Sequence, residues 1–538
     1  MNYSKRVCVL YFSILLCASI LLARLYNLSR PEINKSISVL EGQYTGKIDV
    51  CERSGFVYDR NGFLLSHDVI GKIALVNPAE CENAPESAEI LSKCATSLTC
   101  SDVYEKLIDG VPFTMTLSKE ITADNISQGV KVFDLYEENM SVACHFMGYS
   151  NRDGKAMSGL RLEYEDFLQG ELYSKVLARF DTNAKKKSLS EFELDEQNYM
   201  STDGVVTTID KQIQILCDTM ANEIRSGAIV VSDIKSGEIL ATSSFPGYEV
   251  ENIVNLLDSD KGELVNRAAM SFTPGSVFKI LVAASALEID AELYNLKYTC
   301  EGDIKAGDGV FHCHNRAGHG EIDMAEAFSE SCNTYFINLG RHIGLDTIVE
   351  TMKKLGLDMA TEAGVLREQA NFFPDTENHT EGYISNISFG QGDLCLSLLD
   401  MTKIVISAVN GYVPTLSTVK GIVEKGIFNA MESKKNRRIF NDDTCEKMRF
   451  MMEKCVKEGT GQKAASEKVK CGGKTATAQT GRFDTQGVEY VHKWFCGVYP
   501  IENPRICICV LCDDVSGTNV SPSVIFSEIC SFLWENGY

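Results

Sequence analysis

The first strong pattern along the chain is an unbroken apolar run. Val7 to Ala23 carries no charge over seventeen residues, with Lys5 and Arg6 before it and Arg24 after it. That length is the short end of a bilayer span, about 17–25 residues, and predicts one N-terminal transmembrane helix. A cleaved signal peptide is the competing reading. Leu21-Leu22-Ala23 is a poor small-x-small cleavage site, and Leu16 is too large just before Cys17 for a lipoprotein signal. Basic residues lie on both sides of the run, so the positive-inside rule leaves its orientation open.

Beyond the run, residues 24–50 read as an extended linker. In the stretch from Arg53 to Asp68, Asp59-Arg60-Asn61-Gly62 is a turn signal between two apolar runs, which predicts a β-hairpin. Residues 70–200 mix short helical and strand patterns, with Lys185-Lys186-Lys187 as a solvated loop. The character changes near residue 201. A β-type run passes into a helical pattern with Asp210 as its N-cap. Residues 227–245 then read as a hairpin turning at Lys235-Ser236-Gly237. Near the end, residues 492–500 and 505–514 read as strands divided by Asn503-Pro504, and residues 521–536 as a closing helix. Strands at both ends of a segment with helices between them predict an α/β layered domain.

Length and composition bound this picture without changing it. A chain of 538 residues holds about two to four domains. A net charge of -22 argues against nucleic-acid binding, which needs clustered Lys and Arg. The twenty cysteines show no dense, even framework of the kind found in small secreted domains. Cys300 and Cys313 bracket a loop rich in Gly and His, where a disulfide is one reading. A zinc site from His312, Cys313, His314 and His319 is another, although that spacing matches no standard finger.

Candidate chemistry starts with Ser-x-x-Lys, which occurs three times, at Ser232/Lys235, Ser276/Lys279 and Ser417/Lys420. The pair works only if the lysine amine reaches the serine hydroxyl to take its proton. Positions i and i+3 share a face on a helix and point to opposite faces on a strand. Ser232 and Ser417 lie in strand-like runs, whereas Ser276 opens a helical run after Pro274-Gly275. A serine at a helix N-terminus also meets free N–H groups suited to an oxyanion. The bland alternative is that Ser276 is only an N-cap. Fifty-five residues on, Ser331-Cys332-Asn333 follows a helical segment. Its hydroxyl suits a proton shuttle, and its amide suits holding Lys279 or a substrate carbonyl. Further on, Gly473-Lys474-Thr475-Ala476-Thr477 offers a cation, hydroxyls and a strand edge for a peptide-like substrate ending in a carboxylate.

Ser-x-x-Lys, Ser-x-Asn and a Lys-Thr-Gly-like segment, in this order, resemble the signature of penicillin-binding proteins and serine β-lactamases. The flanks resemble class B penicillin-binding proteins: Asn266-Arg267-Ala268, His319-Gly320, FGQG at 389–392, EGTG at 458–461, KTATAQTG from Lys474, and HKWFCGVYP from His492. The likeness covers most of residues 50–538. It implies a cytoplasmic tail (1–6), an anchor (7–23), a mixed α/β pedestal (24–200) and an extracytoplasmic transpeptidase domain (201–538) whose antiparallel sheet is flanked by helices. It further implies that Ser276 is acylated by the penultimate D-alanine of a peptidoglycan stem peptide, with neutral Lys279 as base. Lys474 depresses the Lys279 pKa, and the N–H groups of Ser276 and Thr477 form the oxyanion hole. Ser331 relays the proton to the leaving D-alanine, Asn333 assists, and Lys474, Thr475 and Thr477 bind the carboxylate beside Gly473 and Ala476. β-Lactams would trap Ser276, and no metal or cofactor is needed. Implied partners are lipid-linked glycan, a SEDS-family glycan polymerase and other divisome or elongasome proteins. The family motif has Gly where this chain has Ala476, which predicts a narrower groove or altered β-lactam affinity. A D,D-carboxypeptidase and a catalytically impaired wall-assembly scaffold remain as alternatives.

Overall fold

The computed structural model describes residues 3–28, 45–118, 128–139, 141–151, 155–168, 174–181, 193–197, 201–220, 224–368, 373–377, 380–432, 436–466, 468–515 and 521–538. Lys185-Lys186-Lys187 lies outside them. Helix α1 (Tyr3–Leu28) carries the N-terminal apolar run. Its described large side chains, among them Phe12, Leu16, Leu21 and Leu22, are exposed. Among the described residues no helix is long and apolar enough to cross a membrane.

The chain divides into two units. The first takes residues 1–54, 69–137 and 173–201. It holds two three-stranded sheets, one with Ser174–Asp181 central and one with His67–Val76 central. Helices Ala84–Cys94 and Cys100–Asp109 bury Ala88, Leu91, Val103 and Leu107 with Ala74, Val76 and Met115 of the second sheet.

The second unit takes residues 55–68, 138–172 and 202–538, so the 24–200 segment is not one body. Hydrogen bonding explains the transfer of its two pieces. Strand Phe56–Tyr58 joins Gly204–Thr207 in parallel, while the Lys211 N–H donates to Asp59 Oδ2. The Ala143 N–H donates to Asp218 Oδ2, and the Tyr248 hydroxyl donates to the Cys144 carbonyl. The turn at Asp59–Gly62 forms as predicted, closed by the Asp59 N–H on the Phe63 carbonyl, but its ladder is a single bridge, Tyr58 to Leu64.

In chain order the second unit is built from α2 (Lys211–Thr219), β1 (Gly227–Asp233), β2 (Ile239–Phe245), α3 (Lys279–Ile289), α4 (Asn333–Ile343), α5 (Leu398–Asn410), α6 (Asp442–Lys457), β3 (Gly472–Phe483), β4 (Glu489–Tyr499), β5 (Ile506–Val515) and α7 (Pro522–Glu535). The strands form one antiparallel sheet in the order β2-β1-β5-β4-β3. Both of its faces are covered, which is why β1 and β5 read as continuous apolar runs rather than alternating ones. Ala228, Val230, Trp494, Cys509 and Leu511 face α3, α5 and α6 in one core. Ile229, Val231, Phe495, Ile508 and Val510 face α2 and α7 in the other. Helix α3 is buried on all sides from Lys279 to Leu287, the pattern of a central core helix.

Asp210 caps α2 as the sequence predicts, with Oδ1 accepting from the Gln212 and Ile213 N–H groups. Its Oδ2 accepts from the Tyr538 hydroxyl at 2.6 Å, tying the C-terminus to this cap. Asp210→Ala is expected to lower stability by about 0.5–2 kcal/mol. Urea unfolding checks this: the midpoint should fall at unchanged slope, and an unmoved midpoint would remove the cap from the account.

Candidate active site

Ser276 lies in a 3₁₀ turn, Gly275–Phe278, that runs straight into α3 at Lys279. The helical placement read from the sequence therefore holds, with the first turn wound more tightly than an α-helix. Gly275 makes the turn possible at φ +57°, and its N–H donates to the Gly390 carbonyl at 2.8 Å. A Cβ on Gly390 would sit 2.0 Å from the Gly275 carbonyl oxygen, so the FGQG segment presses directly on the backbone beneath Ser276. The other two Ser-x-x-Lys copies fail for the expected reason: Ser232 is in β1, and Lys420 is in strand Val419–Glu424.

Lys279 is fully buried. Its Nζ donates to the Ser331 carbonyl and to Asn333 Oδ1, both at 2.8 Å, and lies 3.4 Å from Ser331 Oγ. The Phe336 ring lies beneath it, its centroid 5.4 Å away. Burial first, and the neighbouring Lys474 charge second, push the Lys279 pKa well below the usual lysine range. The two short bonds account for both N–H groups of a neutral amine and leave one lone pair free.

Ser331 turns the chain at φ +57°, unusual for a residue with a side chain. The turn brings both its carbonyl and its hydroxyl to one amine. Strain of about 1–3 kcal/mol at such a position is characteristic of functional sites. Asn333 opens α4, and its Nδ2 donates to the His312 carbonyl at 3.3 Å, which fixes Oδ1 toward Lys279.

Lys474, Thr475, Ala476 and Thr477 lie on β3, the edge strand of the sheet. An edge strand leaves backbone N–H and C=O groups free on its outer side. Side chains alternate: Lys474, Ala476 and Ala478 point inward, Thr475 and Thr477 outward. Lys474 is fully buried, and its Nζ donates to the Thr475 carbonyl at 3.2 Å and to Thr460 Oγ1 at 3.5 Å. Burial lowers its pKa, opposed by Cys455 and Glu330. The Thr475 hydroxyl donates to Thr460 Oγ1 at 2.8 Å.

Two residues of this segment also pack the sheet. The Ala476 methyl lies on the inner face, near where a Cβ on Gly275 would fall, and the residue is only 6% exposed. It packs under the nucleophile's turn and also lines the cleft. A Cβ on Gly473 would meet the Phe495 ring at 2.5 Å, so this glycine serves strand packing.

An open cleft of about 610 Å³ gathers the rest: Ser276, Ser331, Asn333, Thr475, Ala476 and Thr477 all line it. It adds Thr460, Lys463, Lys493 and Trp494, to which no role was assigned from sequence, and His314, considered there only as a metal ligand. EGTG and HKWF stand out as motifs, but only the fold shows that Thr460 reaches Lys474 and Thr475. Cys300 and Cys313 are free thiols, so no bridge closes their loop. The group that does converge there is Cys300, Cys313, His319 and Cys332, without His312 or His314.

The penicillin binding protein transpeptidase domain family matches residues 227–531. Stage V sporulation protein D of Bacillus subtilis is 26% identical over 516 residues, 90% of this chain and 78% of that protein. Peptidoglycan D,D-transpeptidase MrdA of Acinetobacter baumannii is 26% identical over 527 residues, 85% of this chain and 77% of that protein. Among solved structures, penicillin-binding protein 2 from Helicobacter pylori superposes with a TM-score of 0.66 at 21% identity, covering 92% of this chain and all of that one. With the family match spanning more than half its length, this chain belongs to the penicillin-binding protein transpeptidases.

Proposed function

We propose that the chain is a class B peptidoglycan D,D-transpeptidase working through an acyl-enzyme on Ser276. The observation that carries this reading is Lys279: a buried amine, its N–H groups held by the Ser331 carbonyl and Asn333 Oδ1, one turn from a serine that lines an open cleft. Ser276 Oγ attacks the carbonyl carbon of the penultimate D-alanine of a stem peptide, and the Lys279 lone pair takes the hydroxyl proton. The N–H groups of Ser276 and Thr477 receive the oxyanion; each such donor is worth about 3–4 kcal/mol. The C–N bond breaks, and D-alanine leaves with a proton relayed through Ser331. The amine of a second stem then attacks the ester carbonyl, forming the cross-link and returning the proton to Ser276. Lys474, Thr475 and Thr477 hold the terminal carboxylate, with Thr460 fixing the Thr475 hydroxyl. A β-lactam enters by the same attack and stays as a stable ester.

The exposed apolar surface of α1 supports a location at the cell membrane, and the catalytic unit would then work outside the cytoplasm. Glycan strands would come from a membrane-embedded polymerase of the SEDS type.

Fluorescent penicillin is expected to label the wild type, and labelling should vanish in Ser276→Ala. Lys279→Ala should slow acylation by about 10²–10⁴-fold with the fold intact by circular dichroism. Reaction with stem peptides should give cross-linked dimers by mass spectrometry; free D-alanine alone would identify water as the acceptor and sink the transpeptidase reading.

A low Lys279 pKa keeps the base competent at neutral pH and makes acylation fall only on acidification. Removing the like charge in Lys474→Met favours protonated Lys279, so the acid limb of the acylation profile should move to higher pH. An unmoved limb would show that Lys474 does not tune the base. Ala476→Gly should leave acylation nearly unchanged while costing about 0.5–1 kcal/mol of stability from the added backbone freedom. A large gain in β-lactam acylation would put the methyl back in the groove.

A further inference from the structure

Behind the Ser331–Asn333 turn lies a cluster that acyl transfer does not use. Cys300, Cys313, His319 and Cys332 bring three thiols and an imidazole nitrogen within 4.8 Å of one another. All three cysteines are free and buried. The Cys313 sulfur lies 3.9 Å from that of Cys332 and 3.6 Å from His319 Nδ1. A disulfide would need its sulfurs at about 2.05 Å. A tetrahedral zinc ion, with Zn–S of about 2.3 Å and Zn–N of about 2.0–2.1 Å, spaces its ligand atoms roughly 3.5–3.8 Å apart. The observed separations are close to that edge length.

The backbone holds the ligands in place from two sides. Cys300 ends the short strand Tyr298–Cys300 and pairs with Gly320, next to His319. The His319 N–H donates to the Cys300 carbonyl at 3.0 Å, and the Cys313 N–H to the Gly302 carbonyl at 2.9 Å. Gly302 and Gly318 take φ of +97° and +82°, and a Cβ on either would come within 2.2 Å of a carbonyl oxygen across the loop. The loop is thus wound tightly around the thiols. Cys332 arrives from the opposite side as the N-cap of α4, where its sulfur accepts the Tyr335 N–H at 3.4 Å.

We propose that Cys300, Cys313, His319 and Cys332 form a closed tetrahedral zinc site that fixes the catalytic Ser331–Asn333 turn. Three thiolates and one imidazole suit zinc and exclude hard ions such as magnesium or calcium. Four protein ligands leave no open position, so the ion is structural and does no chemistry on substrate. Binding releases the thiol protons to solvent. The ligands are positioning residues. Cys332 sits between Ser331 and Asn333, both of which contact Lys279 Nζ, and Asn333 Nδ2 is held by the His312 carbonyl one residue before Cys313.

The test is the metal content of the full chain, purified in detergent under reducing conditions without added metal. Mass spectrometry of the elements should find about one zinc per chain, as a closed four-ligand site requires, and a large loss in His319→Ala. The wild type stripped of metal and given cobalt(II) should develop a thiolate-to-cobalt charge-transfer band, a readout that does not depend on a variant folding. No bound zinc together with no cobalt band would overturn the site. Chelation should slow acylation by fluorescent penicillin more than it weakens the initial reversible binding, with zinc but not magnesium restoring the rate. Unchanged acylation after verified metal removal would overturn the positioning role. Metal content is read without any activity, so failure of the site and failure of the transpeptidase reading are separable.

Discussion

The site depends on one buried amine. Lys279 is fully buried, so its protonation state is set by that burial, by Lys474 and by two acceptors on the Ser331–Asn333 turn. A charged amine there would meet a second cation within the same core, whereas a neutral one keeps its hydrogen bonds and presents a lone pair. Several features of the second unit bear on that choice. Helix α3 is sunk in the core so that its first residue is dry. Ser331 is held in a left-handed conformation so that its carbonyl and hydroxyl both reach the amine. Strand β3 delivers Lys474 from the other side while turning its threonines toward the cleft.

The sheet explains why these pieces, scattered over some two hundred residues, meet reliably. Its two apolar faces require two separate helix layers. One layer encloses the amine; the other, α2 and α7, only covers the back. The edge position of β3 leaves a strand free to receive an extended peptide alongside Thr475 and Thr477. The same alternation sends Ala476 inward, where its methyl packs near Gly275. The departure from the family's glycine thus falls where the sheet absorbs it.

What the sequence disclosed follows the range of the physics. The β1–β2 turn at Lys235–Gly237, the Asp210 cap, the paired strands β4 and β5 and the closing helix are local patterns, and each stands where it was read. Discriminating Ser276 from Ser232 and Ser417 also needs only local periodicity. Partnerships made across the fold were hidden. The contact of Thr460 with Lys474 and Thr475 depends on a loop meeting a strand edge. The transfer of residues 55–68 and 138–172 to the second unit depends on a parallel pairing no local signal encodes. The cysteine loop offers in sequence a Cys300–Cys313 pair or a set around Cys313 and His319, both without Cys332, which belongs to a different segment, and only folding adds it to Cys300, Cys313 and His319.

The strand order β2-β1-β5-β4-β3 has a consequence for how the protein is made. The hairpin β1–β2 leaves the ribosome well before its next neighbour, β5, whose residues Ile506–Val515 lie far along the chain. Until then β1 is an open apolar edge, the kind of surface that invites mispairing between nascent chains. Such long-range closure is slow. A chain of this design must be shielded until β5 has arrived, and a molecule lacking β5 and α7 would lose both the centre of the sheet and the cover of its back face.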